Sequence, residues 1–374
     1  MSAVPPSATG IVTIDLRAIQ ENWRALAERV RPAECGAVVK ADAYGLGAER
    51  VIPALAAAGC RSFFVATPQE AAQAMRLAAA PTIYVLDGLL PGAGDALIDA
   101  AAIPVLSDIG AVREWAALAA RRDVRLPAAL QLDSGLNRLG LSEADVMTLA
   151  ADAELFAWLD LKLVMSHLAC ADDPDDAKNA AQLGAFRQLA ARLLPAPLSL
   201  AASDGLMLGP DFHFDLVRPG YALYGGQAFK GGATPVRPVV RVEARVLQVR
   251  DVGDGETVGY SATFSAKGPR RIATIAAGYA DGLFRHLSAG DRETGGSVSI
   301  NGHLAPIAGR VSMDLITVDV TDVPGTPPQR GDLVCVIGDG LPIEAVGAAA
   351  GTIGYEVLTS LGRRFHRIYL DGDA

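Results

Sequence analysis

At 374 residues, with 51% hydrophobic and 20% charged side chains, the chain has globular composition and length for two domains or three, which excludes wholesale disorder. Forty-two acidic residues against 33 Lys plus Arg leave a net charge of −9. With no basic tract to neutralise phosphates, a nucleic-acid partner is excluded.

In chain order, Met1–Gly10 has neither a basic n-region nor an apolar h-region, so no secretory signal is expected. No uncharged apolar run approaches the roughly 18 residues that span a bilayer, so no membrane partner is expected. Leu16, Ile19, Trp23, Leu26 and Val30 fall on one helix face, with Asp15 as N-cap. Cys35–Lys40 is a strand candidate, followed by the turn-like Ala43-Tyr44-Gly45. Ser62–Ala66 is the next strand, and Thr67, Pro68 and Glu70 supply an N-cap, a first-turn proline and a capping-box acid. Further strand runs lie at Thr82–Leu86, Ile103–Leu106, Leu126–Leu132, Leu161–Ser166, Leu198–Ala202 and Asp215–Val217. The clearest helices between them are Gly110–Ala120 and Asp176–Leu194.

Counted from Cys35, these are eight continuous apolar runs, the pattern of parallel strands buried on both faces. Eight strand–helix units in about 200 residues predict an α/β fold, an N-terminal (β/α)8 TIM-type barrel; an open doubly wound sheet is the alternative. After about Gly232 the texture changes. Val240, Val242, Ala244 and Val246 alternate with Arg241, Glu243 and Arg245, the period of a half-buried antiparallel strand. Gly253-Asp254-Gly255, Asn301-Gly302 and Gly338-Asp339-Gly340 punctuate further β-like runs, and helix signals nearly vanish until Ile343–Ala350. A barrel over residues 11–232 and a mostly β domain over 233–374 are therefore expected. The four cysteines (Cys35, Cys60, Cys170, Cys335) lie far apart with no CxxC pair. They read as free thiols in a reducing cytoplasm, not as a metal site or disulfide scaffold.

The active site of a parallel barrel lies at the C-terminal strand ends. Here those ends offer Lys40, Asp133 to Arg138, His167, Ser203 with Asp204, and Arg218. Taken singly, Lys40 reads as an amine emerging into solvent, His167 as a hydrogen-bonded core histidine, and Arg138 and Arg218 as structural ion pairs. The functional alternative is that Lys40 has a lowered pKa and forms an imine with a carbonyl cofactor. Gly45-Leu46-Gly47 lacks the third glycine of a dinucleotide fingerprint.

Longer stretches change that weighing. Val38-Val39-Lys40-Ala41-Asp42-Ala43-Tyr44-Gly45 closely resembles the cofactor-lysine motif of the alanine racemases, fold-type III enzymes of pyridoxal 5'-phosphate (PLP). The resemblance continues through Leu132-Asp133-Ser134-Gly135-Leu136-Asn137-Arg138-Leu139-Gly140, Ser166-His167 and Val217-Arg218-Pro219-Gly220. It reappears in Gly259-Tyr260-Ser261-Ala262-Thr263-Phe264, Gly278-Tyr279-Ala280-Asp281-Gly282, Gly309-Arg310-Val311-Ser312-Met313-Asp314 and Gly354-Tyr355-Glu356. It covers essentially the whole chain.

What the resemblance implies is specific. Lys40 would carry PLP in the barrel, and the early run Ile11–Ile14 would join the second domain. Arg218 would face the pyridine nitrogen, with His167 hydrogen-bonded near it. Tyr44, Ser203, Tyr355 and the backbone at Gly220 and Tyr221 would hold the phosphate, while Arg138 would lie near the phenolic oxygen and the substrate carboxylate. The family forms head-to-tail homodimers with shared active sites. Tyr260 would then be the partner's second catalytic base, Met313 would help seat the carboxylate, and Tyr279 would narrow the entrance. The expected reaction interconverts L- and D-alanine in the cytoplasm, supplying D-alanine for peptidoglycan.

Residue chemistry agrees, since inverting Cα needs a base on each face, here Lys40 and Tyr260. A phenol ordinarily titrates near ~10, so cationic or hydrogen-bonded neighbours are required, and His167 and Arg218 could supply them. Arginine keeps its proton, which leaves the pyridine nitrogen unprotonated and suppresses transamination. Three residues depart from the family pattern. Gln131 replaces a lysine that many members carry carbamylated, Ala202 replaces a common asparagine, and Phe264 replaces a tyrosine. Two rival readings are a single-domain, non-catalytic PLP carrier and a racemase of broader range, serine included. The first lacks the β domain with Tyr260 and Met313, and the second resembles periplasmic proteins with signal peptides.

Overall fold

A computed structural model describes residues 4–371; residues 1–3 and 372–374, the two ends of the stretches read above as signal-free start and second domain, lie outside them. The described residues fall into two units, 19–237 and 4–18 with 238–371.

The first unit is built from parallel strands whose side chains are apolar on both faces. Ala37–Val38, Ser62–Val65, Thr82–Val85, Ile103–Leu106, Leu126–Gln131, Leu159–Met165 and Leu198–Ser199 pair in that order, all parallel. Burial on both sides is carried by side chains such as Phe63, Phe64 and Val65. Glu34–Cys35 leads into Ala37–Val38 through Gly36 and pairs in parallel with Leu216–Val217. The bridge between Ala202 and Arg218, with Asp215 N–H donating to the Leu198 carbonyl at 3.0 Å, joins that last strand to Leu198–Ser199. The ring is thereby closed with eight strands, so the TIM-type barrel holds and the open sheet is excluded.

Helices follow the strands where local capping chemistry starts them. Asp108 accepts from Ala111 N–H ahead of Ile109–Arg122, and Asp176 accepts from Lys178 N–H ahead of Ala177–Ala190. After Leu198–Ser199 only short turns follow (Gly205–Leu208 and Pro210–Phe212). The first helix, Leu16–Arg29, begins with Ala18 N–H donating to Asp15 Oδ1 at 2.9 Å. Its later turns dock on the barrel through Asn22, whose amide donates to the Leu223 carbonyl, and Trp23, whose indole donates to the Cys35 carbonyl.

The second unit centres on the 13-residue strand Val240–Val252. Val240, Val242, Ala244 and Val246 are buried and the residues between them half-buried, matching the alternation. Its first half pairs antiparallel with Gly10–Asp15 and Leu333–Ile337, and its second half pairs with Arg270–Ile275 beyond a register shift at Val246 to Gln248. His366–Leu370 runs parallel to Gly10–Asp15 on its other side. Ser297–Ile300 and His303–Pro306 form a hairpin around Asn301-Gly302. The partly buried Phe264 packs on a core of Val252, Val258, Ala266, Ile272 and Ala308. The unit is mostly β, with helices Ile343–Ala349 and Gly354–Ser360. The second was not expected, because it is seven residues long and opens on a glycine, a poor helix former.

Candidate active site

Lys40 leaves the strand end into an unusual turn. Ala41, Asp42, Ala43 and Tyr44 all have φ of 53 to 57° and ψ of 37 to 53°, four consecutive non-glycine residues in the left-handed region. Each costs roughly 1–2 kcal/mol against the right-handed form, so other contacts must hold the turn. Ala43 N–H donates to the Val39 carbonyl at 2.9 Å, and Gly47 N–H to the Asp42 carbonyl at 2.9 Å. Asp42 Oδ1 accepts from Ala48 N–H at 2.7 Å. Glu70, read above as a capping-box acid, accepts from Ala41 N–H with Oε1 and from Ala66 N–H with Oε2, each at 2.7 Å. Thr67 caps the helix Pro68–Met75 as expected. The turn thus presents Lys40 half-buried, where burial first and the positive charge of Arg138 second push its amine below the ordinary lysine value. Asp87 and Glu70 oppose that shift.

Arg218 is 3% exposed and fixed on three sides. Its guanidinium donates to Ser199 Oγ, to the Ser166 carbonyl at 2.7 Å and to the Leu200 carbonyl at 3.4 Å. Burial lowers it to about 9, still above neutrality, so it remains a cation. Ser166 Oγ in turn lies 2.8 Å from Ser134 Oγ and donates to the Leu132 carbonyl at 2.7 Å. Beside this framework His167 is pushed down to about 3, by burial first and then by Arg218, Arg138 and Lys40. Four basic side chains from four strand ends therefore share one electrostatic neighbourhood. Of the cationic or hydrogen-bonded support expected from His167 and Arg218, His167 therefore offers hydrogen bonding and Arg218 the charge. Arg138 sits on an exposed loop that Asp133 shapes by accepting from Gly135 and Asn137 N–H at 2.9 and 3.0 Å. Gln131 anchors the loop's far side, its amide donating to the Leu139 carbonyl at 3.0 Å.

Oxygen and N–H groups gather where the phosphate was expected. Ser203 Oγ accepts from the N–H groups of Gly220 and Ala222, both at 3.1 Å, at the start of the tight turn Tyr221–Tyr224. Tyr44 is buried, its ring 4.8 Å from that of Tyr224, and burial pushes its phenol up to about 12. A Cβ on Gly220 would come 2.4 Å from the Tyr44 hydroxyl, so only glycine lets that hydroxyl approach the backbone. Two hydroxyls beside two main-chain N–H groups, which Ser203 Oγ takes up here, are the group types that hold a phosphate. Tyr221 itself is fully buried.

Tyr260, Tyr279, Met313 and Tyr355 belong to the second unit. Tyr279 and Ala280 N–H donate to the carbonyls of Ser312 and Met313 at 3.1 and 3.0 Å, tying their two motifs together. A Cβ on Gly278 would lie 2.4 Å from both those carbonyls. Asp281 Oδ2 accepts from Gly278 N–H at 2.9 Å, and Arg364 grips both Asp281 oxygens at 2.8 Å and Asp314 Oδ1 at 2.6 Å. Arg310 donates to Ser261 Oγ at 3.0 Å, joining the Tyr260 motif to the same platform. Tyr260, Tyr279 and Met313 are 70%, 43% and 53% exposed there. Tyr355 is half-buried on Gly354–Ser360. Sequence alone did not single out Glu70, Asp281 and Arg364 as the groups that hold these turns. Asp281 lies inside the Gly278–Gly282 motif, whereas nothing local marks Arg364.

The profile of the alanine racemase N-terminal domain matches residues 14–228, and that of the C-terminal domain residues 239–369. An alanine racemase of Methylobacterium sp. strain 4-46 is 48% identical over 99% of this chain and 100% of its own length. A biosynthetic alanine racemase of Agrobacterium fabrum is 46% identical over 97% of this chain and 94% of its own. Among solved structures, the alanine racemase of Bartonella henselae, with covalently bound pyridoxal phosphate, superposes with a TM-score of 0.93 at 44% identity, covering 97% of this chain and 100% of that one. With both domain profiles and full-length relatives in agreement, the chain belongs to the alanine racemase family.

Proposed function

We propose that this protein interconverts L- and D-alanine with PLP by a two-base mechanism and supplies D-alanine for peptidoglycan. One observation carries the reading: the left-handed turn presents a lysine of lowered basicity beside Arg138, His167 and Arg218. Lys40 would hold PLP, with Tyr44, Ser203, Gly220, Tyr221 and Tyr355 around the phosphate and Arg218 and His167 at the ring. PLP, when bound, supplies the electron sink that acidifies the Cα–H of an amino acid. Lys40 Nζ takes or returns that proton on one face, and Tyr260 of the second copy does so on the other. Arg218 donates hydrogen bonds without giving a proton up, so it would leave the ring nitrogen of the cofactor unprotonated and the sink weak. Arg138 and Met313 orient the substrate carboxylate, and Tyr279 narrows the way in.

Tyr260, Tyr279 and Met313 being exposed supports a homodimer with shared sites. Among the described residues no helix is long and apolar enough to cross a membrane, and four free cysteines suit a cytoplasmic location. Chiral analysis of L-alanine and L-serine incubated with the PLP-loaded protein tests the reading. D-Alanine should form and outrun D-serine; preference for serine would move the function to broader-range racemisation, and no turnover would refute it. Borohydride should fix PLP on Lys40. For the dimer, verified heterodimers of Lys40→Ala and Tyr260→Phe chains should recover up to about half of wild-type activity, because one site collects both lesions and the other neither. Inactive heterodimers of folded, PLP-binding chains would refute site sharing.

A further inference from the structure

The turn that carries Lys40 is held from another element by one carboxylate. Ala41 is the first left-handed residue, and its N–H ends on Glu70 Oε1 at 2.7 Å. The second oxygen of the same group takes Ala66 N–H, at the end of the neighbouring strand, at 2.7 Å. Thr67 Oγ1 fixes Glu70 in turn by accepting its N–H at 3.3 Å. Each carboxylate oxygen thus takes one main-chain donor, from two different strand ends, which fixes the group's orientation. Ordinary helix capping would not require this, because a capping-box acid returns to the N-cap N–H, here that of Thr67. The observed group instead reaches 29 residues back along the chain.

We propose that Glu70 is a positioning residue for Lys40, clamping the main chain at Ala41 to Ala66 so that the amine keeps one direction, while its carboxylate is one of two negative charges beside that amine, with Asp87. The proposal rests on Lys40 being the cofactor lysine. The charged groups facing Lys40 are Arg138, Asp87 and Glu70, with the titratable but neutral His167 beside them, and of these Glu70 alone also holds the backbone that Lys40 stands on. Geometry and charge are separable by substitution. Glutamine keeps the size but presents one acceptor and one NH2 to two N–H donors, so one contact becomes donor against donor. Aspartate keeps the charge but is one methylene too short to reach both.

The test uses Glu70→Gln and Glu70→Asp in the PLP-loaded full-length protein. Glu70→Gln should fold and load PLP, with KM for alanine within about twofold and kcat down about tenfold or more. The acid limb of its kcat profile should move to lower pH, because a carboxylate that favoured the protonated amine is gone. Amide hydrogen exchange at Ala41, measured without cofactor, should accelerate in both variants. Glu70→Asp should lose kcat without moving the acid limb, and it carries the test alone if Glu70→Gln fails to fold. Wild-type kcat and acid limb in Glu70→Gln, or wild-type kcat in Glu70→Asp, would overturn the positioning role even with faster exchange. Borohydride separates the two levels: PLP fixed on another lysine of the wild-type chain sinks the cofactor assignment and this inference together, whereas PLP on Lys40 with unaltered variants sinks this inference alone.

Discussion

Two turns, one in each unit, solve a similar backbone problem in different ways. After Lys40 the chain runs through four left-handed residues, and after Tyr260 through two, Ser261 and Ala262. At the barrel the restraint is Glu70, whose negative charge reaches Lys40. In the second unit Ser261 Oγ accepts from Arg310, and on the adjoining platform Asp281 holds Gly278 but gives its charge to Arg364, through two parallel bonds. The second arrangement fixes geometry with its charge already compensated, and the first leaves charge available to a working amine. A carboxylate can therefore be a backbone clamp in both places and an electrostatic agent in only one.

Lys40→Ala should have the largest effect, at least about 10³-fold in racemisation, with far-UV circular dichroism unchanged because Lys40 is only half-buried at a strand end. Retained turnover would remove the functional half of the contrast. Gly220→Ala should cost about 1–3 kcal/mol from overpacking, since the new Cβ meets Tyr44 and Val38. Denaturant melts would show this loss, and PLP titration a weaker affinity. An unaltered midpoint would mean the Tyr44 wall yields freely.

His167 sharpens the electrostatic side. Its folded pKa of about 3 lies below the unfolded value near ~6.5. Above ~6.5 it is neutral in both states; as pH falls, the unfolded chain takes the proton first and stability is lost until about pH 3. From pH 7 to 5 the loss is about 2 kcal/mol, and His167→Gln should flatten that stretch of the stability curve. A slope the same as wild type would mean the imidazole is not held neutral. The smallest effect belongs to the charge-compensated platform: Arg364→Lys keeps the charge but loses the two-pronged grip. KM for alanine should rise about threefold with kcat and its acid limb in place. A moved acid limb would erase the distinction between the two turns.

Most of the fold was legible because its rules are local or periodic. Eight apolar runs announced eight parallel strands, alternation at Val240–Val246 announced the antiparallel one, and Asp15, Thr67 and Asp176 started helices as short-range capping predicts. The left-handed turn was not legible, because Ala41-Asp42-Ala43-Tyr44 has no glycine and its local preferences read as an ordinary turn. What holds it lies 29 residues away in Glu70, whose spacing to Thr67 already had a sufficient local explanation. Strand-end arithmetic brought Lys40, Arg138, His167 and Arg218 forward as candidates. That His167 is neutral follows from burial first and then from three cations converging in space, neither of which spacing along the chain records.

The order in which the chain leaves the ribosome bears differently on the two units. The barrel's last strand is complete at Val217, so that ring can close while more than a third of the protein is still unsynthesised. Gly10–Asp15, made almost first, sits between Val240–Val252 and His366–Leu370 and must wait for both. Until then it is an apolar strand with two bare edges, the kind of segment that invites pairing with other chains. A nascent chain stalled before His366 would leave Gly10–Asp15 as the edge of its sheet; His366–Leu370 covers that edge and takes its place there, so the exposed margin passes from a strand made almost first to one made near the end.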